Sequence, residues 1–385
     1  MPSILTDPAI PAEELRERLY SGDLVILTKL RALTEFVDYM RDELTELFAP
    51  HDPERVHEYI DPAEMAKILG VWKPRWIHAE KSREMVRAII AEAGFEPAFT
   101  HYDVPKPRTS FPTGHLTTGI ACAFPWHRDA WYSAPRQQIN WWLPVFPIKE
   151  TNAMSFDLAS FARAVPNTSG GFDYYENNAR RLHTAKSVGE EHQARPGAID
   201  HTAGVDVIPL PAPGQVLLFS GAQLHTSIPN TSGLARYSVD FRTVDTRDLL
   251  TDRGAPLVDA DCTGTAIRDF ISIKDESGFD EVLVRSIYGD PPADAMLVYN
   301  GSVETHLLHA SEQRARGRSP ATRPFRVRRV RFGRARHRQC RPVPACSLAA
   351  APRIARRIAR PGCACWPRCA PPSPAAVRCD DFPAP

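Results

Sequence analysis

Cysteine is scarce through most of this chain: only Cys122 and Cys262 fall within residues 1–310. Two in that length exclude a disulfide framework. No run of 18 or more apolar residues occurs, which argues against a membrane-spanning helix. The N-terminus lacks the basic-then-apolar pattern of a signal peptide, so a cytoplasmic location is expected. Lysine is missing from residues 311–385, which nevertheless carry 18 Arg against three acids (Glu312, Asp380 and Asp381). The formal net charge of +1 therefore hides +15 in the tail and −14 in the body, where 29 basic residues face 43 acidic ones. An acidic body disfavours nucleic acid and anionic membrane as partners. Nucleic-acid binding through the Arg tail would require that tail to be native.

The tail holds twelve Pro and the other six cysteines (Cys340, Cys346, Cys363, Cys365, Cys369 and Cys379), without apolar periodicity. It reads either as a disordered basic extension or as non-native sequence, GC-rich coding DNA translated out of frame. The abrupt change of composition favours the second. Its cysteines lack the paired C-x₂-C frame of a zinc site, and the tail is expected to be dispensable for catalysis.

The body divides at about residue 97. Before it, apolar spacing of three and four predicts helices over Glu13–Tyr20 and Lys29–Phe48. A third opens at the Asp61-Pro62 cap and runs to about Leu69, and a fourth spans Ala79–Ala93, closed by Gly94. Asp23–Leu27 is a strand candidate. After residue 97 the period is two, predicting strands over Ala98–Val104, His115–Phe124, Gln137–Phe146, Val205–Pro209, Gln215–Ser220, His225–Ile228 and Ala235–Val244. The expectation is a mainly β fold with flanking helices: a helical region over 1–96 packed on a β core over 97–305. An insertion over 155–203, helical near Tyr175–Leu182, has the length of an active-site loop.

The chemistry concentrates in His127-Arg-Asp129 and, downstream, His225. Two imidazoles and one carboxylate with open positions beside them are the facial triad of non-haem Fe(II) oxygenases. On an extended segment His127 and Asp129 point to one face while Arg128 faces away. A lone H-x-D is common; the weight lies in its order with His225 and Arg236. On Gln137–Phe146, Gln138, Asn140 and Trp142 share a face suited to a ligand cavity, whereas Trp141 reads as core.

These residues, with Gln138-Ile-Asn-Trp-Trp-Leu-Pro144, Asn152-Ala-Met-Ser155 and Pro213-Gly-Gln-Val-Leu-Leu-Phe219, resemble the phytanoyl-CoA dioxygenase family over roughly 95–250. The resemblance implies a double-stranded β-helix (jelly-roll, cupin-like) core. It implies iron held by His127, Asp129 and His225, with 2-oxoglutarate as cosubstrate and O₂ as oxidant. Arg236, Ser227, Trp142 and Asn140 would surround the cosubstrate, Arg236 gripping its distal carboxylate with a guanidinium fork. A four-residue hairpin loop at Pro229–Ser232 would set His225 opposite Arg236. Arg242, about 20 Å along a strand from Arg236, reads as a surface or structural ion pair. Arg128, Trp131 and Tyr132 on the loop after the triad, and Lys106 and Arg108 on a Pro-rich loop before it, are candidates to meet a small-molecule substrate.

The expected activity is oxidation of an unactivated carbon with release of succinate and CO₂. The competing reading, a cupin-like metal-binding or regulatory protein, leaves Arg236 without a use. Neither the substrate nor the oligomeric state follows from the sequence.

Overall fold

Mainly helices, with two short strands among them, before residue 97 and mainly strands after it are the arrangement found in the computed structural model, which describes residues 2–112, 115, 124–184, 195–202 and 207–292, the side chains of 180–184 excepted. Helix α1 (Ala12–Tyr20) precedes α2 (Arg31–Phe48), α3 (Pro62–Ile77) and α4 (Glu80–Glu92). On α2, Leu33, Phe36, Val37, Met40 and Leu44 are all buried, the stripe that their spacing dictates. Asp61 caps α3 by accepting from the amides of Ala63 and Glu64. Gly94 follows α4 with φ +84°, a left-handed position that suits glycine. Helix α3 runs eight residues past its expected end, through Pro74. Burial of Trp72 and Trp76 against α2, where Phe36 meets the Trp76 ring edge-on, offsets the amide that Pro74 lacks.

Among the described residues eight strands form the large sheet. Along it lie β1 (Ile4–Thr6), β2 (Leu24–Leu27), β7 (Val216–Ser220), β5 (Ile139–Pro144), β9 (Arg236–Asp245), β3 (Thr100–Tyr102) and β10 (Ile271–Ser272), and β4 (Lys106–Ser110) also pairs with β9. A small sheet pairs β6 (Met154–Phe156) with β8 (His225–Ser227). Together they make a mainly β core with flanking helices, not closed into a barrel among the described residues. Alternation divides each strand between two environments. Trp141, Tyr237, Val239 and Phe241 join the core built with the N-terminal helices. Trp142, Leu217 and Phe219 turn the other way and pack on Met154 and Phe156 of the small sheet.

Four expectations are corrected. Lys106 and Arg108 lie on strand β4, not on a loop; Pro107 tolerates the strand because β9 is β4's one ladder partner among the described residues and the missing donor falls on its open side. Ser155 and Phe156, assigned to the insertion, belong to β6. No hairpin joins β8 to β9: β8 pairs with β6, and β9 with β3, β4 and β5. The intervening chain crosses from one sheet to the other, its Thr231 and Ala235 amides donating to Thr151 and Glu54, so hairpin register has no bearing on Arg236. Of Val205–Pro209, Val207 makes a single bridge to Phe156, while residues 203–206 lie outside the described residues. So do residues 116–123 of the strand expected over His115–Phe124, and the whole of 311–385. The expected helix near Tyr175 is α5 (Tyr174–Thr184). Among the described residues no helix is long and apolar enough to cross a membrane.

Candidate metal centre

His127 and His225 face one another as an isolated antiparallel bridge, each amide donating to the other's carbonyl at 2.9 Å. Such a doubly bonded pair holds two residues directly opposite, and the imidazole centroids lie 4.2 Å apart. Arg128 is extended and Asp129 opens a short 3₁₀ turn, which returns the carboxylate to the imidazoles. Donor atoms of His127, Asp129 and His225 all lie within 4.8 Å of one another. Among the described residues this is the one group of three or more such side chains able to converge on an ion.

Backbone carbonyls select the tautomers. Nδ1 of His127 donates to the carbonyl of Pro125 at 2.7 Å, and Nδ1 of His225 to that of Gln223 at 2.9 Å. A carbonyl only accepts, so each ring carries its hydrogen on Nδ1 and keeps a lone pair on Nε2. Burial, with His225 adding to it at His127, pushes both imidazoles below the usual histidine range, His127 to about 3, which favours the neutral rings at physiological pH. Burial works to raise the Asp129 carboxyl, but Arg242, His225 and His127 outweigh it and hold the group below its ordinary value. Phe156 stacks on His225 at 5.6 Å and Phe219 meets it edge-on. Phe124 and Tyr132 flank His127 at 5.1 and 5.7 Å. Neutral nitrogen donors, one carboxylate and an aromatic wall suit a borderline divalent transition metal such as Fe(II).

The face of β9 turned toward this centre carries Arg236, Ser238, Asp240 and Arg242, and across the ladder Ser110, Arg108 and Lys106 stand opposite the first three. Arg108 grips Asp240 through Nε at 2.5 Å and Nη2 at 3.1 Å, and Lys106 pairs with Asp103. Arg236 differs. It is 8% exposed, its guanidinium sits 5.7 Å over the Trp142 ring, and its Nε has no hydrogen-bond partner among the described residues. Burial, and then the neighbouring Arg108, pull its pKa down to about 10 against the opposite pull of Asp240. A buried cation with an idle donor fits an incoming carboxylate. Ser238, two residues on and fully buried, has an Oγ that also lacks a partner among the described residues. It was not anticipated from the sequence, although the polar residue at every second position of 236–242 was the available signal.

Other candidates fall in different places. Asn140, on β5, accepts from the Gln138 side-chain amide, and Trp142 packs with Phe156 and Phe219 under the Arg236 guanidinium. Ser227, half-buried on β8, donates its amide to Phe124. Trp141 is core as expected, stacked on Phe241 at 5.3 Å. Tyr132 stands beside His127 with its hydroxyl donating to the Pro196 carbonyl at 2.8 Å. Arg128 and Trp131, by contrast, turn away from the cavity. Arg128 is 1% exposed; it donates to Asp259 at 3.1 Å and to the carbonyls of Ser160, Phe161, Arg163 and Ala222. Trp131 donates its Nε1 to the same Asp259 at 2.8 Å. These two residues tie the triad loop to the segments around 160 and 259 rather than meeting a substrate. Arg128→Ala takes the counter-ion from buried Asp259, which keeps only the Trp131 and Val165 donors, and leaves several interior carbonyls short of a donor, so unfolding stability should fall by about 3–5 kcal/mol. A urea midpoint equal to the parent's would return Arg128 to the substrate side.

No family model matches the chain, and neither does any curated protein. Solved structures do overlap with it. EvdO2 from Micromonospora carbonacea var. aurantiaca is 15% identical, with 62% of this chain and 92% of that one covered at a TM-score of 0.38; it is also known in complex with 2-oxoglutarate. The non-heme monooxygenase ThoJ is 15% identical over 79% of this chain and all of its own, at 0.39. EctD from S. alaskensis is 16% identical over 62% and 78%, at 0.35. TM-scores this low carry no functional argument.

Proposed function

We propose that this protein is an Fe(II)- and 2-oxoglutarate-dependent dioxygenase that oxidises an unactivated carbon of a small molecule, with release of succinate and CO₂. The observation behind the reading is the pairing of two features: a buried His127–Asp129–His225 cluster with both Nε2 lone pairs free, and the idle, buried Arg236 on the same cavity face. A metal used only to brace the fold has no need of such a cation. The resemblance to the phytanoyl-CoA dioxygenase family extends the same reading.

Bound iron would supply activation of O₂ coupled to decarboxylation of 2-oxoglutarate. The chain's own residues do the rest. His127 and His225 offer Nε2, their rings fixed by the Pro125 and Gln223 carbonyls, and Asp129 offers a carboxylate oxygen. Arg236 takes the distal carboxylate of 2-oxoglutarate, with the Ser238 hydroxyl beside it and Trp142 as a wall; Asn140 and Ser227 belong to the same surroundings. Phe124, Phe156 and Phe219 keep water from the imidazoles, so that charges inside interact strongly. Tyr132 and Arg108 stand where a small-molecule substrate would enter. Neither nucleic acid nor membrane is part of this reading, and residues 311–385 take no part in the chemistry.

Anaerobic addition of Fe(II) and then 2-oxoglutarate to the metal-free protein should produce a weak visible charge-transfer band that needs both. Its absence at saturating concentrations of both would end the proposal. Succinate release across a metabolite panel would then identify the substrate.

A further inference from the structure

The two oxygens of Asp129 have different surroundings. Oδ1 lies 3.7 Å from Nε2 of His127. Oδ2 accepts from Nε2 of Gln138 at 3.0 Å and has Nε of Arg242 at 3.7 Å. Both neighbours of Oδ2 are themselves fixed. The same Gln138 amide nitrogen donates to Oδ1 of Asn140 at 2.8 Å, so its two hydrogens are both committed. Gln138 accepts the Gly221 amide on its own carbonyl, and Gly221 in turn accepts from the amide of Ala130, the residue after Asp129. A Cβ at Gly221 would lie 3.3 Å from Gln138 Nε2, so the glycine admits the amide at close range. Arg242 is anchored through Asp103, which accepts from its Nη1 at 2.8 Å and from its backbone amide at 2.7 Å.

We propose that Gln138, oriented by Asn140, and Arg242 are positioning residues that hold Asp129 by Oδ2, so that Oδ1 alone is offered to the metal. The inference rests on the metal reading of the triad. A carboxylate free to turn could place both oxygens on an ion and occupy a position that cosubstrate or O₂ requires. The Gln138 hydrogen bond and the Arg242 charge beside Oδ2 oppose that turn, and the amide does so without adding charge. Arg242 is therefore an ion-pairing residue, as its sequence position suggested, but one whose partners include the carboxylate of the metal cluster.

The test is a Co(II) titration of the metal-free full-length protein, followed by calorimetry and by the visible ligand-field spectrum. Outer partners of metal ligands typically contribute about 10–100-fold to metal affinity. Gln138→Leu is expected to bind Co(II) more weakly within that range and with an altered spectrum. Arg242→Lys keeps the charge but withdraws Nε; it should show a smaller loss and a spectral change in the same direction, and it decides the matter alone if Gln138→Leu does not fold. Parent-like affinity and spectrum in the folded variants would overturn the positioning role. The triad reading has its own control: if Asp129→Ala binds Co(II) as tightly as the parent, that reading falls and this inference with it.

Discussion

Replacing His127, Asp129 or His225 by alanine is expected to reduce iron-dependent decarboxylation of 2-oxoglutarate to the metal-free background in each case. The three side chains contribute differently to the apo fold, and none anchors it. Both imidazoles spend one nitrogen on a nearby carbonyl and keep the other free. The bridge between their backbones does not depend on side chains at all. Asp129 makes its contacts within the cavity, with Gln138, Arg242 and His127. Thermal unfolding of the metal-free variants should therefore stay close to that of the parent while turnover vanishes. A variant with near-parental decarboxylation would remove its residue from the ligand set and leave the triad assignment untenable.

Arg236→Ala carries the second large effect. Truncating one partner of a buried charge pair costs about 2–5 kcal/mol, so the apparent KM for 2-oxoglutarate should rise by about 30-fold to about 5,000-fold. Arg236→Lys should recover part of this, because a point charge cannot reproduce the guanidinium fork. The stability of the protein without 2-oxoglutarate should not fall in parallel. An idle Nε and a pKa drawn down to about 10 by burial and Arg108 describe a cation that the apo fold tolerates rather than uses. Steady-state decarboxylation at varied 2-oxoglutarate, with urea unfolding of the same samples, separates the two quantities. An unchanged KM in Arg236→Ala, with a raised KM in Arg242→Ala, would move the carboxylate pocket to the other end of β9.

Helix, strand and ligand candidates were legible wherever a local rule sufficed. The stripe Leu33, Phe36, Val37, Met40 and Leu44 needed only the helical period. Gly94 needed only the left-handed preference of glycine, and Asp61 with Pro62 only capping chemistry. The convergence of His127, Asp129 and His225 was legible as order along the chain. What misled was inference across elements. A short polar loop between two strands suggests a hairpin, yet Pro229–Ser232 lies in a crossover, because the ladder of β9 is already filled by β3, β4 and β5. Position beside the triad suggested substrate contact for Arg128 and Trp131, whereas the 3₁₀ turn at Asp129 points them into the protein.

The family resemblance alone suggested Arg236 as a cation for an anionic cosubstrate. Sequence by itself determined the mainly β class, the largely helical first hundred residues, and one carboxylate and two imidazoles as a candidate metal set. These follow from residue type and periodicity, which are properties of short segments. Only the tertiary structure decided which nitrogen of each imidazole stays free, because that depends on the carbonyls of Pro125 and Gln223. It also decided that Oδ2 of Asp129 accepts from Gln138 and lies 3.7 Å from Nε of Arg242, residues 9 and 113 positions away. Such contacts arise from the pairing of β5 with both β7 and β9, and no local period encodes which strands become neighbours.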